Sequence, residues 1–214
     1  AWRTRHTARC HGHGRPRHRA VAARAAREAG RAWGLLALER APPRGLVDLT
    51  LVVDADAANG FARVLPSNRV TLYLAPPAGD VALQAYDDGV RLVLVHELAH
   101  VFHLDRSRGV WGALQQVFGR APGLFPNAYQ PSWVSEGLAT YYESRFTTAG
   151  RAEGAYHDQL IDAAAAGGAA RSPWDALLFN RWPAGYTPYA YGGRFFSRAA
   201  RESGWTWRLS ISLA

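Results

Sequence analysis

The chain has 214 residues, 48% of them hydrophobic, which is enough to bury the core of one domain or of a domain with a helical extension. Its formal charge of +8 is local, because residues 1–31 hold nine arginines and one acid, whereas the remaining 183 residues balance 16 arginines against 16 acids. This distribution argues against a nucleic-acid-binding body, and no apolar run approaches the roughly 18 residues of a membrane-spanning helix.

Residues 1–16 are predicted to form a basic, histidine-rich arm or an edge strand. A soft or borderline metal ion could bind there, although flexible histidine tracts often bind metals adventitiously. The alternative is a solvated edge. The candidate ligands in and just after this segment are His6, Cys10, His11, His13 and His18.

The next segments predict an α/β layer. Residues 17–38 have apolar positions at helical spacing, and 46–53 form a compact apolar run typical of a buried strand. The sequences "GFARV" and "NRVTLYL" predict two more strands around a turn at Pro66 to Asn68.

The segment "YDDGVRLVLVHELAHVFHLDRSRG" then predicts a helix with Asp87 or Asp88 as its N-cap and Gly109 just past its last turn. Beyond it the pattern is helical. The sequence therefore predicts an α+β fold, with an α/β subdomain over 17–109 and a helical subdomain over 110–214. It contains no methionine, which predicts a processed chain or a fragment of a longer one.

The HELAH sequence places His96 and His100 four residues apart on one helical face, where both imidazoles can reach one ion. Glu97 lies beside that ion, as a general base requires. The alternative is a pair of ordinary helix histidines, but unpartnered polar groups buried in this apolar helix would cost about 1–3 kcal/mol each.

A catalytic zinc site takes three protein ligands and leaves one position open, so a third ligand is expected downstream. The segment "PSWVSEGLATYYES" begins with helix-opening residues, Pro131 and Ser132, and places Glu136 in the first turns. Small residues follow it and permit close helix packing. Glu136 is therefore the candidate third ligand.

These two motifs together resemble the gluzincin metallopeptidases, in which HExxH is completed by a Glu in a WLxEGxAxY-like motif on a second helix. The spacing from His100 to Glu136 is similar to that of bacterial peptidase MA-like domains. The resemblance spans roughly residues 47–203 and implies a zincin-like fold and an envelope or secreted location. The residues that match the second motif are Trp133, Val134, Glu136, Gly137, Ala139 and Tyr141.

Two further segments extend the resemblance. "YAYGGRFF" resembles the YxxG motif whose tyrosine stabilises the oxyanion, which implies this role for Tyr189, with Tyr191 as its competitor. "ANGFA" resembles the strand that pairs with extended substrate. The residues of that strand are Asn59, Gly60, Phe61 and Ala62.

The resemblance implies a peptidase with one Zn²⁺ per chain and a peptide or protein substrate. His96, His100 and Glu136 would bind the zinc, which would activate a water molecule. Glu97 would accept the proton of that water and later deliver it to the leaving amine.

Three neighbouring residues are candidates for supporting roles. His103 lies about 10 Å along the helix axis from His96, so it is expected in the pocket wall rather than as a ligand. Glu143 and Asp105 could hold the second nitrogen of a ligand histidine, since metal sites usually have such partners. The alternative for each is an ordinary surface acid.

A different class of function is also compatible with the sequence. The chain would then be an inactive, zinc-containing binding module that uses its arginine-rich arm on nucleic acid or an anionic surface. Such binding would weaken steeply with salt. Chelator-sensitive turnover that depends on Glu97 would distinguish the peptidase.

Overall fold

The structure of the protein, a computed structural model, describes residues 9–10, 16–52, 56, 59–74, 89–147, 150–170, 172 and 185–203. The predicted N-cap at Asp87 or Asp88 and most of the N-terminal arm lie outside these residues. The chain forms two compact units, the first within residues 1–128 and the second within 129–210.

A four-stranded mixed sheet belongs to the first unit. Its order is β1-β2-β4-β3, in which β2 runs parallel to β1 and β4, and β3 runs antiparallel to β4. The three strands predicted from the apolar runs are confirmed as β2 to β4. The strands are β1 (Arg9–Cys10), β2 (Val47–Val52), β3 (Asn59–Arg63) and β4 (Asn68–Tyr73).

Strand β4 shows why this sheet has a buried face. Asn68, Val70 and Leu72 are buried, whereas Arg69 and Thr71 between them are partly exposed. This is the two-residue period expected for a strand with one face against a core. The apolar side of β4 therefore faces the interior of the first unit.

Helix α2 packs against β3 and β4 of this sheet, and helix α1 packs against α2. The rings of Trp33 and Phe102 meet edge to face at 4.8 Å between α1 and α2, a favourable aromatic geometry. The helical elements in the described residues of this part of the chain are α1 (Pro16–Glu39), α2 (Gly89–Leu104), α3 (Gly109–Phe118) and a 3₁₀ helix (Pro126–Tyr129).

The end of α2 differs from the sequence prediction. The helix stops at Leu104, and Gly109, predicted to follow its last turn, instead begins α3 with φ +54°. The carbonyl oxygen of His103 accepts from the Asn127 side chain at 2.7 Å and from the backbone N–H of Arg106 at 3.3 Å, so this carbonyl at the helix end is satisfied. Because Asn127 comes from a distant segment, no local pattern predicts this end.

A buried carboxylate network lies just beyond α2. Asp105 is 1% exposed. Its Oδ1 accepts from Arg120 at 2.6 Å, and its Oδ2 accepts from the Asn68 side chain at 3.0 Å and from the backbone N–H of Arg44. The network therefore joins the end of α2 to the start of β4 and to the loop before β2.

The second unit is helical in its described residues. Its helices are α4 (Ser132–Phe146), α5 (Ala155–Ala166) and α6 (Thr187–Ser203). Helix α6 packs on α4 and on α5. A methyl group added at Gly137 would lie 2.3 Å from the Cα of Gly192, so the backbones of α4 and α6 touch where both residues lack a side chain.

The predicted α+β class is confirmed by the mixed sheet and the helices. None of the helices in the described ranges is long and apolar enough to cross a membrane, in agreement with the composition.

Loss of the Asp105 carboxylate should destabilise the first unit strongly. Asp105→Ala leaves the Arg120 guanidinium without its buried partner, so we expect a loss of about 3–5 kcal/mol in the free energy of unfolding, measured by chemical denaturation. The control is Asp48→Ala, which removes a half-exposed partner of Arg69 at 3.6 Å and should cost less than about 1 kcal/mol. Equal losses in the two variants would contradict the structural importance of this network.

Candidate metal centre

Helix α2 carries four polar side chains through an apolar interior. His96, Glu97, His100 and His103 are 5%, 6%, 9% and 1% exposed, respectively. Every residue from Leu94 to His103 is buried, so the helix has no solvent-facing side over these turns. Buried polar groups need partners within the protein or in a bound ligand.

The two histidines converge on one point. Their Nε2 atoms lie 3.0 Å apart, and their rings meet edge to face with centroids 4.6 Å apart. Two nitrogens bound tetrahedrally to one zinc ion would lie about 3.3 Å apart. The separation of the two Nε2 atoms is therefore within a few tenths of an ångström of the value for a shared ion, although one imidazole N–H donating to the other would also give this distance.

Glu136 completes the group. One ligand atom from each of His96, His100 and Glu136 lies within 4.8 Å of the other two, and Glu136 is half-buried. The three residues predicted as ligands are thus brought together, and this cluster could hold a metal ion. A hydrogen bond between two neutral imidazoles gives no reason for a carboxylate at the same place, whereas a cation does.

Glu97 lies beneath strand β3 at a glycine. A methyl group added at Gly60 would lie 2.6 Å from both Cγ and Oε1 of Glu97, and 2.6 Å from Cγ1 of Val93. Only a residue without a side chain leaves this space to the glutamate. The flanking residues of the strand, Asn59 and Phe61, are exposed, and Ala62 is half-buried.

His103 lies outside the ligand cluster. Its Nδ1 is 3.4 Å from a guanidinium nitrogen of Arg40, which is itself 3% exposed. The histidine is thus an interior residue beside a buried arginine, and the sequence contained no signal for that partner, 63 residues away.

The two acids considered as partners for the candidate ligand histidines each have an arginine partner. Asp105 accepts from Arg120 and belongs to the network beyond α2. Glu143 is fully buried, and Arg151 donates to both of its carboxylate oxygens. The alternative prediction, that each is an ordinary surface acid, is wrong, because both carboxylates lie in the interior.

The two candidate oxyanion donors both lie on α6 and are half-buried. The guanidinium carbon of Arg151 lies 4.9 Å from the ring centroid of Tyr189. Sequence reasoning did not identify Arg151, because a single arginine after a loop glycine carries no motif.

Comparison with known proteins gives no match: no protein-family model, curated protein or solved structure is significantly similar to this chain.

Metal binding should depend on both helices that carry the ligands. We expect one metal ion per chain in the wild type, measured by mass spectrometry after treatment with a weak chelator. Glu136→Ala should lower the affinity by more than the roughly 10–100-fold that losing an outer partner costs.

The matched control is Glu153→Ala, which removes an exposed carboxylate and should leave the metal content unchanged. Metal retained by Glu136→Ala would argue against Glu136 as a ligand and shift attention to the histidines of the N-terminal arm.

Proposed function

We propose that this chain is a zinc-dependent peptidase of the gluzincin type with a zincin-like fold. The observation that carries the proposal is the convergence of His96, His100 and Glu136, with Glu97 directly following the first ligand. The resemblance of the HELAH and "WVSEGLATY" motifs to gluzincins supports the same assignment.

The donor set favours zinc. Two imidazole nitrogens and one carboxylate are typical of catalytic zinc, whereas structural zinc sites usually take four protein ligands that include cysteine. The only cysteine in the chain is Cys10, far from HELAH in sequence. Three ligands leave a position open, so the site suits catalysis better than a structural role.

When bound, zinc would supply a Lewis acid that polarises the scissile carbonyl and a water molecule. Glu97 would accept the proton of the attacking water as the carbon–oxygen bond forms. It would return the proton to the amine nitrogen as the carbon–nitrogen bond breaks. Its burial at 6% exposure keeps the carboxylate largely away from bulk water.

Strand β3 is suited to bind the substrate backbone. It ends the order of the described sheet, so its outer N–H and C=O groups can pair with an extended peptide. Gly60 lies on Glu97, so a peptide aligned along β3 would run past the general base. Tyr189 would donate a hydrogen bond to the oxyanion that develops on the attacked carbonyl.

Removing only the base should separate metal binding from turnover. Glu97→Gln keeps the size of the side chain but cannot accept the proton, so kcat should fall on the order of 10³-fold with the zinc content unchanged. Cleavage of a quenched-fluorescent peptide library, run beside metal analysis, measures both. Wild-type rates in Glu97→Gln would refute the mechanism, and an inactive wild type that retains zinc would favour the binding module.

A methyl group at position 60 should impair turnover by displacing Glu97. Because the added carbon would lie 2.6 Å from the glutamate, we expect Gly60→Ala to lower kcat/KM about 10–100-fold while zinc is retained. Gly34→Ala is the matched control, since a methyl group there meets nothing within 4 Å. Unchanged kcat/KM in Gly60→Ala would mean that the position of Glu97 does not limit the reaction.

A further inference from the structure

We propose that Glu143 and Arg151 form a positioning pair that holds the phenol of Tyr189 in one orientation. This inference rests on the proposed function for the role of Tyr189, but the contact itself belongs to the second unit and can be measured without turnover. All three residues lie within the described part of that unit.

The carboxylate and guanidinium form a buried, two-pronged pair. Nε of Arg151 donates to Oε2 of Glu143 at 2.9 Å, and Nη2 donates to Oε1. The Glu143 side chain is 0% exposed and the Arg151 side chain 11% exposed. Two parallel bonds fix the plane of the guanidinium as well as its distance, so Arg151 has little rotational freedom.

The backbone on both sides of Arg151 is also held against α4. The N–H of Ala152 donates to Oγ of Ser144 at 3.0 Å. On the other side, a methyl group at Gly150 would lie 2.2 Å from the backbone of Ser144. The loop therefore lies directly on the helix at the residue after Glu143, and Arg151 is anchored through its main chain and its side chain.

The anchored guanidinium lies near the ring of Tyr189, with 4.9 Å between its carbon and the ring centroid. At this distance a cation is attracted to an aromatic ring. The attraction favours one side-chain orientation of Tyr189, and the positive charge makes its hydroxyl a stronger hydrogen-bond donor. Both effects serve a residue that must donate to a developing oxyanion.

The backbone of Tyr189 is positioned by a different contact. Gly192, one turn later on α6, is so close to α4 that a methyl group there would lie 2.1 Å from the carbonyl oxygen of Trp133 and 2.6 Å from the Cα of Gly137. Gly137 directly follows Glu136. The glycine contact thus sets the position of Tyr189 along α6, and Arg151 sets the orientation of its side chain.

A purely structural explanation is that Arg151 only neutralises Glu143. The test must therefore remove the cation without leaving the buried carboxylate of Glu143 unpaired, because an unpaired buried charge would by itself destabilise the unit. The double variant Glu143→Gln/Arg151→Gln does this. Arg151→Lys keeps the charge but loses the planar fork. The control, Arg198→Gln/Glu202→Gln, removes an exposed ion pair on α6, the helix that carries Tyr189.

The first readout is independent of metal and activity. The metal-free chain would carry 3-fluorotyrosine at position 189, and its ¹⁹F NMR signal would be compared between backgrounds of equal melting temperature. We expect one narrow resonance in the wild type and in the control. The double variant should show a shifted resonance, broadened by exchange between side-chain orientations. An unchanged resonance in the double variant would overturn the proposal.

The second readout is steady-state cleavage by the zinc-loaded chain. Loss of a cation near an aromatic ring should lower kcat about tenfold in the double variant, with KM within about twofold, and Arg151→Lys should recover part of the loss. A kcat equal to that of the control would overturn the role of the pair in the reaction. A wild type without activity would refute the proposed peptidase, and the NMR comparison would still decide whether the pair holds Tyr189.

Discussion

The burial of polar side chains within helix α2 is the constraint on which the rest of the molecule depends. His96, Glu97 and His100 lie in a stretch in which every residue is buried, so solvent cannot satisfy them. Such an arrangement is stable only if other parts of the chain, or a bound ion, supply partners. Glu136 lies close to the two histidines, and a metal ion bound by all three residues would satisfy them.

Close backbone approach is the second recurring device. At Gly60 the space that a side chain would fill is occupied by Glu97, and at Gly192 it is occupied by the backbone of α4. In the first case the missing side chain brings a strand onto a proposed catalytic carboxylate. In the second it brings together two helices that carry proposed site residues. Both glycines thus act through the space they leave open.

Buried carboxylates show how strongly tertiary context decides a role. Asp105 and Glu143 have the chemistry that a ligand histidine requires of a partner, and the sequence allowed both that role. The structure gives each carboxylate an arginine, Arg120 and Arg151, respectively. Each pair joins the end of a helix to a loop. The pair of Glu143 and Arg151 also places the Arg151 guanidinium near the ring of Tyr189. The sequence does not show which arginine pairs with which acid, because the chain contains many arginines.

The sequence by itself determined the α+β class, the three main strands and helix α2, because these follow from local periodicity. The four-residue spacing placed His96 and His100 on one helical face, and the second motif singled out Glu136 as the third member of the candidate metal cluster. Only the tertiary structure decided where α2 ends, since its capping partner Asn127 is distant in sequence. It likewise decided that Gly60 lies on Glu97 and that Arg151 lies over Tyr189. The physical reason is that periodicity encodes which face of an element is buried, whereas packing between distant segments decides what that face meets.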